Sequence, residues 1–448
     1  MLLSYIGLIV GLGLLIFFTM RGMNIIIAAI ICSVVVALTS GLNLMEAMTG
    51  PYMASFTNFF ASWFLIFLLG AIFGKVMEDT KAANSIAHFV KDKFGAQRAI
   101  FAVVAACGIM TYGGVSVFIV GFTVYPIAVA LFKSADLPHR FIPACLVFGG
   151  ISFTMTAPGS PEIQNLIPTE HFGTTPTAGG IIGVIAAFVI MIAGGWALGK
   201  MAMKAKKRGE TFSPPNALVS TSSNEVASTL EQADAEDTSK LPNPIIAMIP
   251  LALVIILLNV ISNVFPITTE NAVMIALFIG IIAGWTLMNK HAANYGKALT
   301  KGTDNALVAI TNTCAVVGFG GVAAEVPSFQ NMVDVLTSLP GLEYAGLALA
   351  VTIIAGVSGS ASGGLGIALP ILAPIYQTQG LDPGAMHRIS ALASGGLDSL
   401  PHNGYVVTTV RAICGETHAR AYKPIIVVSI IVPTIVLILA VAAYTIFY

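Results

Sequence analysis

Charge is what this 448-residue chain has least of. Asp, Glu, Lys and Arg together make up 9% of it, against about 25% in soluble globular proteins. The 21 basic and 21 acidic residues cancel to a net charge of zero. No basic patch lies outside the segments flanking apolar runs, so nothing points to a nucleic-acid partner. Cysteine is scarce too. Cys32, Cys107, Cys145, Cys314 and Cys414 are odd in number and scattered within apolar stretches. They show neither metal-ligand spacing nor a disulfide framework and read as small buried residues. No His-Glu-x-x-His motif occurs, and no serine is placed by sequence to complete a triad with Asp398 and His402. That argues against a membrane-embedded protease; no catalytic group, cofactor or metal is expected. The first apolar run has no basic leader and no small-residue cleavage site, and a second run follows at once, so it reads as a span rather than a signal peptide.

Long hydrophobic runs are what is there. Apolar residues make up 56% of the chain, and the mean hydropathy is +0.88. Crossing ~30 Å of hydrocarbon takes about 20 apolar residues. Such stretches fall near 2–19, 23–41, 56–77, 139–167, 177–199, 244–263, 271–288, 303–324, 385–412 and 422–446. Those at 139–167 and 385–412 are broken by Gly, Pro and polar residues. Two longer runs, about 99–133 and 343–377, are interrupted at Gly113-Gly114-Val115-Ser116 and at Gly359-Ser360-Ala361-Ser362 and read as re-entrant hairpins. The order hairpin, Gly-Gly, broken helix occurs twice, with Glu78 and Glu325 at one offset. The fold class expected is an all-α polytopic membrane protein of two repeats, each with five spans, a hairpin and a broken helix.

Alternating the spans places Arg21, Lys75 to Arg98, Lys133, Arg140, Lys200 to Lys240, Lys290 to Lys301 and Arg411 to Lys423 on one side, with Arg388 alone on the other. Basic loops face the cytoplasm, so both termini are expected outside. An odd number of spans per repeat makes the two topologically inverted. The expected boundaries are 1–203 for the first repeat, 204–243 for a polar, disordered cytoplasmic linker, and 244–448 for the second repeat. Segments 80–95 and 326–338 read either as interfacial amphipathic helices or as surface loops.

A helix interrupted in the membrane offers backbone N–H groups at the start of its second half, carrying about half a positive charge, and carbonyls at the end of its first. Two hairpin tips and two breaks meeting at the midplane therefore make a small polar chamber suited to a small organic anion. The first wall expected comprises Thr111, Tyr112, Gly113, Gly114 and Ser116 with Thr154, Thr156, Ser160, Gln164 and Asn165. The second comprises Ser358, Ser360, Ser362, Gly363 and Gly364 with Asp398, Ser399, His402 and Asn403. For any one hydroxyl, helix packing is the plainer role. Ionisable groups in hydrocarbon cost at least ~2.5–3.5 kcal/mol and need a reason. Asp398, Glu162 and His402 are the candidates to bind a coupling ion. A polar pair that stabilises the break is the competing role for Asp398 and His402, and a place at the outer surface is the competing role for Glu162. Glu78 and Glu325, at span ends, read as structural.

The stretches Leu69 to Glu78, Asp92-Lys93-Phe94-Gly95, and Gly359 to Ser362 followed by Leu369-Pro370-Ile371-Leu372 resemble the gluconate:proton symporter (GntP) family of the ion transporter superfamily, over essentially the whole chain except 204–243. The resemblance implies a homodimer in the bacterial inner membrane, a scaffold with an elevator-type transport domain, and proton-coupled uptake of a small hydroxy-acid anion. Tyr112 to Val117 replaces the acidic hairpin tip of sugar-acid members. The stretch Leu397 to Gly404 is more similar to the short-chain hydroxy-acid branch, the 3-hydroxybutyrate permeases. Alternatives are a gluconate or other sugar-acid symporter, a Na+-coupled organic-anion symporter, a cation/proton antiporter of the same superfamily, and a channel.

Overall fold

The computed structural model describes residues 2–21, 23–95, 98–213, 240–292, 294–337 and 341–448. The described residues are overwhelmingly helical, with no strand among them. Seven helices among them are long and apolar enough to cross a membrane.

The first repeat runs α1 (Leu2–Met20), α2 (Ile25–Thr39), α3 (Leu44–Asp79), α4 (Ala82–Phe94), the hairpin α5 (Ala99–Tyr112) and α6 (Val117–Ser134), then α7 (Ile142–Val147), α8 (Ile163–Phe172) and α9 (Gly180–Lys207). The second repeats that order: α10 (Pro244–Val264), α11 (Thr269–Leu287), α12 (Tyr295–Ala324), α13 (Pro327–Thr337), the hairpin α14 (Glu343–Ser358) and α15 (Ala361–Gln377), then α16 (Pro383–Ser394), α17 (Gly404–Val407) and α18 (His418–Phe447). The two mixed segments, 80–95 and 326–338, are thus helices rather than loops over most of their length. Start signals sit where the chain needs them. Asn24, Asn243 and Thr268 cap α2, α10 and α11, and Asp382 caps α16 with Pro383 as its first residue.

The outer surface is apolar as well as the core. On α9, Ile181, Ile185, Phe188, Ile192 and Trp196 are exposed, while Gly183, Ala186, Ile190, Gly194 and Leu198 face inward. Large apolar side chains outward and small ones between helices are what a lipid solvent selects. Packing sorts the elements into two sets. In one, α3 runs along α12, α2 also lies against α12, α11 against α3, and α10 against α11. In the other, the hairpins pack on the broken helices, with α5 on the turn Phe148–Ser152, α15 and α16 on α8, and α9 on α18. The contacts come in repeat-related couples: α4 lies on α10, and its counterpart α13 lies on α1.

Most of the expected linker, residues 214–239, lies outside the described residues. Its start is helical to Lys207 and then docked. Arg140 grips Glu210 with two hydrogen bonds of 2.8 and 3.1 Å, and the Phe212 amide donates to Asp136 at 3.0 Å.

Candidate functional site

Irregular backbone at membrane depth survives only where it is buried in protein or lines a wet cavity. The first break, between Phe153 and Glu162, contains Pro158 and Pro161, which lack the N–H a helix needs. It also contains Gly159 at φ +79°, whose N–H donates to the Pro176 carbonyl instead. Its freed carbonyls are taken by side chains from four elements. Arg388 of α16 donates to Thr156, Tyr112 of α5 to Pro158 at 2.8 Å, Asn259 of α10 to Gly159 at 3.0 Å, and Asn165 of α8 to Ser160 at 2.8 Å. The second break, around Gly395 to Asn403, is tied by Tyr422, which donates to the Ser399 carbonyl at 3.0 Å.

Both breaks and both hairpin tips open onto one cavity of about 1600 Å³. Gly114 and Ser116 reach it from the first tip and Ser360 and Ser362 from the second. Glu162 and Gln164 reach it from the first break and Asp398 and Asn403 from the second. Four of these residues share a structural role. Ser116, Glu162, Ser360 and Asn403 are the N-cap residues of α6, α8, α15 and α17, so four helix N-termini converge on the cavity. Ser360 accepts from the Gly363 amide at 3.1 Å and Asn403 from the Val406 amide at 2.9 Å. Ser116 and Glu162 make no such bond, so the N-termini of α6 and α8 keep open donors.

The remaining wall comes from α3 and α12. On α12, Lys301, Asp304, Asn305, Val308, Asn312 and Thr313 recur at helical spacing along the lining. Lys75, Glu78 and Lys81 line the cavity together with Lys301 and Asp304, all of them partly or fully exposed, and Lys75 pairs with Glu78 at 2.5 Å. The other carboxyl groups among the described lining residues are those of Glu162 and Asp398, one at each break.

Several residues expected in the chamber stand behind its wall. Thr111 donates to the Cys107 carbonyl and Thr154 to the Gly150 carbonyl, one helical turn back. Tyr112, Thr156 and Ser160 are absorbed in the first break, and Gly113 packs on Leu251 of α10. Gly363 and Ser358 serve the second tip. Asn165 bonds Ser160, Pro176 and His387. Asp398 and His402 part ways on the unwound chain. Asp398 lines the cavity and accepts from Ser399 at 3.0 Å, whereas His402 packs against Gly359. Gly359 has φ +61°, and an added Cβ would come 2.4 Å from the His402 ring, so only glycine fits. Glu162 sits in the cavity wall rather than at a surface. Arg388, left outside by the charge pattern, lies inside the fold with no exposed surface.

The α12 polar face and Lys75 were not read from the sequence, although Asn305, Asn312 and Thr313 at helical spacing within an apolar run carried the signal. A buried cluster elsewhere was also missed. His139 bonds Tyr125 at 3.1 Å, 14 positions back, and Glu416 at 2.9 Å, 277 positions on, joining the two repeats.

Comparison with known proteins agrees with this architecture. A transporter of Bacillus subtilis (strain 168), YxjC, is 36% identical over 465 residues, covering 96% of each chain. A transporter of Haemophilus influenzae is 26% identical over 280 residues, covering 62% of this chain and 59% of its own. Among solved structures, the MtrF antimetabolite efflux pump of Neisseria gonorrhoeae superposes with a TM-score of 0.52 at 14% identity, over 90% of this chain and 84% of its own. The YdaH transporter of Alcanivorax borkumensis gives 0.52 at 16%, over 90% and 88%. At such identities the last two speak to the fold alone. The family described as GntP family permease matches residues 2–444, nearly the full length, and with it the broken helices, the shared cavity and the lipid-facing exterior find their common account: the chain belongs to the GntP family and is a secondary transporter.

Proposed function

We propose that the protein imports a small hydroxy-carboxylate anion, 3-hydroxybutyrate being the best fit, by proton-coupled symport with elevator-type alternating access. The observation that carries this reading is the convergence of four helix N-termini on one cavity. The longer helices α6, α8 and α15 each contribute about half a positive charge from their backbone donors, which holds a carboxylate without a fixed cation. The uncapped starts of α6 and α8 are the places for it. The hydroxyls of Ser116, Ser360 and Ser362 and the amides of Gln164 and Asn403 suit a single alcohol group. Large aromatic-lined pockets are the habit of bulkier ligands.

Asp398 and Glu162 are the candidate proton carriers, being the carboxylates that the two breaks bring to the cavity. The scaffold would be the set built on α3 and α12, and the moving part the set that holds the hairpins and breaks. In this reading the basic loops face the cytoplasm and both termini lie outside. Two copies per assembly are part of the same reading.

The test is uptake of labelled (R)-3-hydroxybutyrate into proteoliposomes under an inward proton gradient, with and without Na+. Unlabelled gluconate, lactate and the (S)-enantiomer serve as competitors. Uptake driven by the proton gradient and blocked best by short hydroxy acids is expected. Uptake driven by Na+ alone, or no uptake by protein of normal thermal stability, would replace this reading with the Na+-coupled, sugar-acid or antiporter alternatives.

A further inference from the structure

Arg388 is wholly buried in α16, and no carboxylate among the described residues lies within ion-pair distance of it. A buried charge needs partners, and here they are carbonyls. Nε donates to Ala178 at 3.1 Å, Nη2 to Ala178 at 2.9 Å and to Pro176 at 3.0 Å, and Nη1 to Thr156. The planar fork spreads four hydrogen bonds from three nitrogens over three carbonyls, a fixed geometry that the single nitrogen of an ammonium does not reproduce. The fold makes room for it. A Cβ on Gly183 would lie 2.9 Å from the Arg388 Cδ, and one on Gly179 would lie 2.4 Å from its Cβ.

The preceding residue completes a clamp. His387 Nε2 faces Asn165 Oδ1 at 3.2 Å, and its Nδ1 faces the Thr174 hydroxyl at 2.7 Å. These partners fit a neutral ring that donates from Nε2 and accepts at Nδ1. Two adjacent residues of the second repeat thus hold the first break at both ends. Arg388 takes the Thr156 carbonyl where the chain unwinds, and His387 holds Asn165 where α8 begins. Between those points lies the stretch that presents Glu162 and Gln164 to the cavity.

We infer that Arg388 is a positioning residue for the transport site: from behind the cavity wall it sets where the first break places Glu162 and Gln164, so one half of the site is aligned by a cation of the other repeat. The inference rests on reading the cavity as the transport site. It is independent of which acid is carried. A misplacement of about 1 Å at such a site can cost on the order of a hundredfold.

The test uses the full chain in proteoliposomes with a reporter thiol at position 164. The five native cysteines are buried, so Gln164→Cys supplies the accessible thiol for a charged methanethiosulfonate reagent. Ser362→Cys, on the second hairpin tip, is the matching reporter. Each is combined with Arg388→Lys, with Arg388→Met, and with Tyr444→Phe, which removes a hydroxyl bonded to Gly179 beside the clamp. With Arg388 changed, the labelling rate at 164 is expected to shift by about tenfold or more, while the rate at 362 stays near that of the parent. Tyr444→Phe is expected to shift neither. In uptake, Arg388→Lys is expected to raise KM more than it lowers the maximal rate. Unchanged labelling at 164 would overturn the inference. So would equal shifts at 164 and 362, and so would failure of both Arg388 variants to fold; the latter two assign Arg388 a purely structural part. Labelling needs no substrate, so this outcome stands apart from failure of the 3-hydroxybutyrate assignment.

Discussion

Asn403 donates its side-chain amide to the carbonyl of Gly359 at 3.1 Å, and through the same amide group accepts from the Val406 N–H at 2.9 Å. One side chain therefore fastens the second helix break to the second hairpin tip and starts α17. Tyr112 does the converse in the first repeat, reaching from the hairpin to the Pro158 carbonyl at 2.8 Å. Losing the cap and the tie together costs about 1 kcal/mol each. Asn403→Ala is expected to lower the melting temperature in detergent and to cut initial uptake sharply. Asn403→Asp, which keeps the cap but sets a carboxylate oxygen against the Gly359 carbonyl, is expected to transport worse than Asn403→Ala. Equal activity of the two would show that the tie to the tip is unimportant.

The two break carboxylates separate coupling from binding. If Asp398 or Glu162 carries the proton, its neutral counterpart cannot be driven by a gradient yet can still exchange substrate. Asp398→Asn and Glu162→Gln are to be compared in gradient-driven accumulation and in counterflow. At least one variant is expected to lose accumulation while keeping counterflow; full accumulation by both would remove these residues from the coupling step.

Glycine at the two hairpin tips can be ranked. Gly114 has φ +90°, and an added Cβ meets its nearest neighbour, Pro161, at 3.4 Å. Gly359 has φ +61° and meets the His402 ring at 2.4 Å. Both substitutions to alanine bear a left-handed backbone penalty of about 1–2 kcal/mol, but only Gly359→Ala must also displace a buried ring. Thermal melts and uptake are expected to show Gly359→Ala as clearly the more damaging.

His139 and Glu416, hydrogen-bonded at 2.9 Å, are both about 1% exposed, and leaving a buried polar partner unsatisfied typically costs about 1–3 kcal/mol, more where a charged group is involved. Glu416→Ala is expected to destabilise the protein markedly. Tyr125→Phe, which removes one neighbouring hydrogen bond, is expected to cost about 1 kcal/mol. Melting temperatures measured side by side decide this; near-equal losses would mean that the pair contributes no more than the single bond.

Helix ends were legible wherever the sequence punctuates them. Asp382-Pro383, Asn243-Pro244, the Gly359-Ser360 tip and the Pro158–Pro161 break all stop or start elements where local chemistry requires. The chamber was legible as a set of segments, because Gly and Pro interruptions in apolar runs must be buried together. Its precise lining was not. Thr111 and Thr154 read as ligands, but each satisfies a carbonyl one turn back, an outcome that depends on side-chain rotation rather than on spacing. Asn259 looks like an isolated polar residue in an apolar span, and nothing local says that Gly159, 100 positions earlier, awaits its amide. Arg388 counted as a loop charge because a charge map sees sign and position, not the three carbonyls that accept it.

The first break is also a matter of timing. Its carbonyl partners sit at residues 112, 165, 259 and 388, and the last is 232 positions beyond the Thr156 it binds. Chains are made from the N-terminus at about 5–20 residues per second, so the first repeat leaves the ribosome well before its missing donors exist. Until α10 and α16 enter the bilayer, that stretch has to keep company with water or with the insertion machinery. A chain cut short before α16 lacks the donor that takes the Thr156 carbonyl.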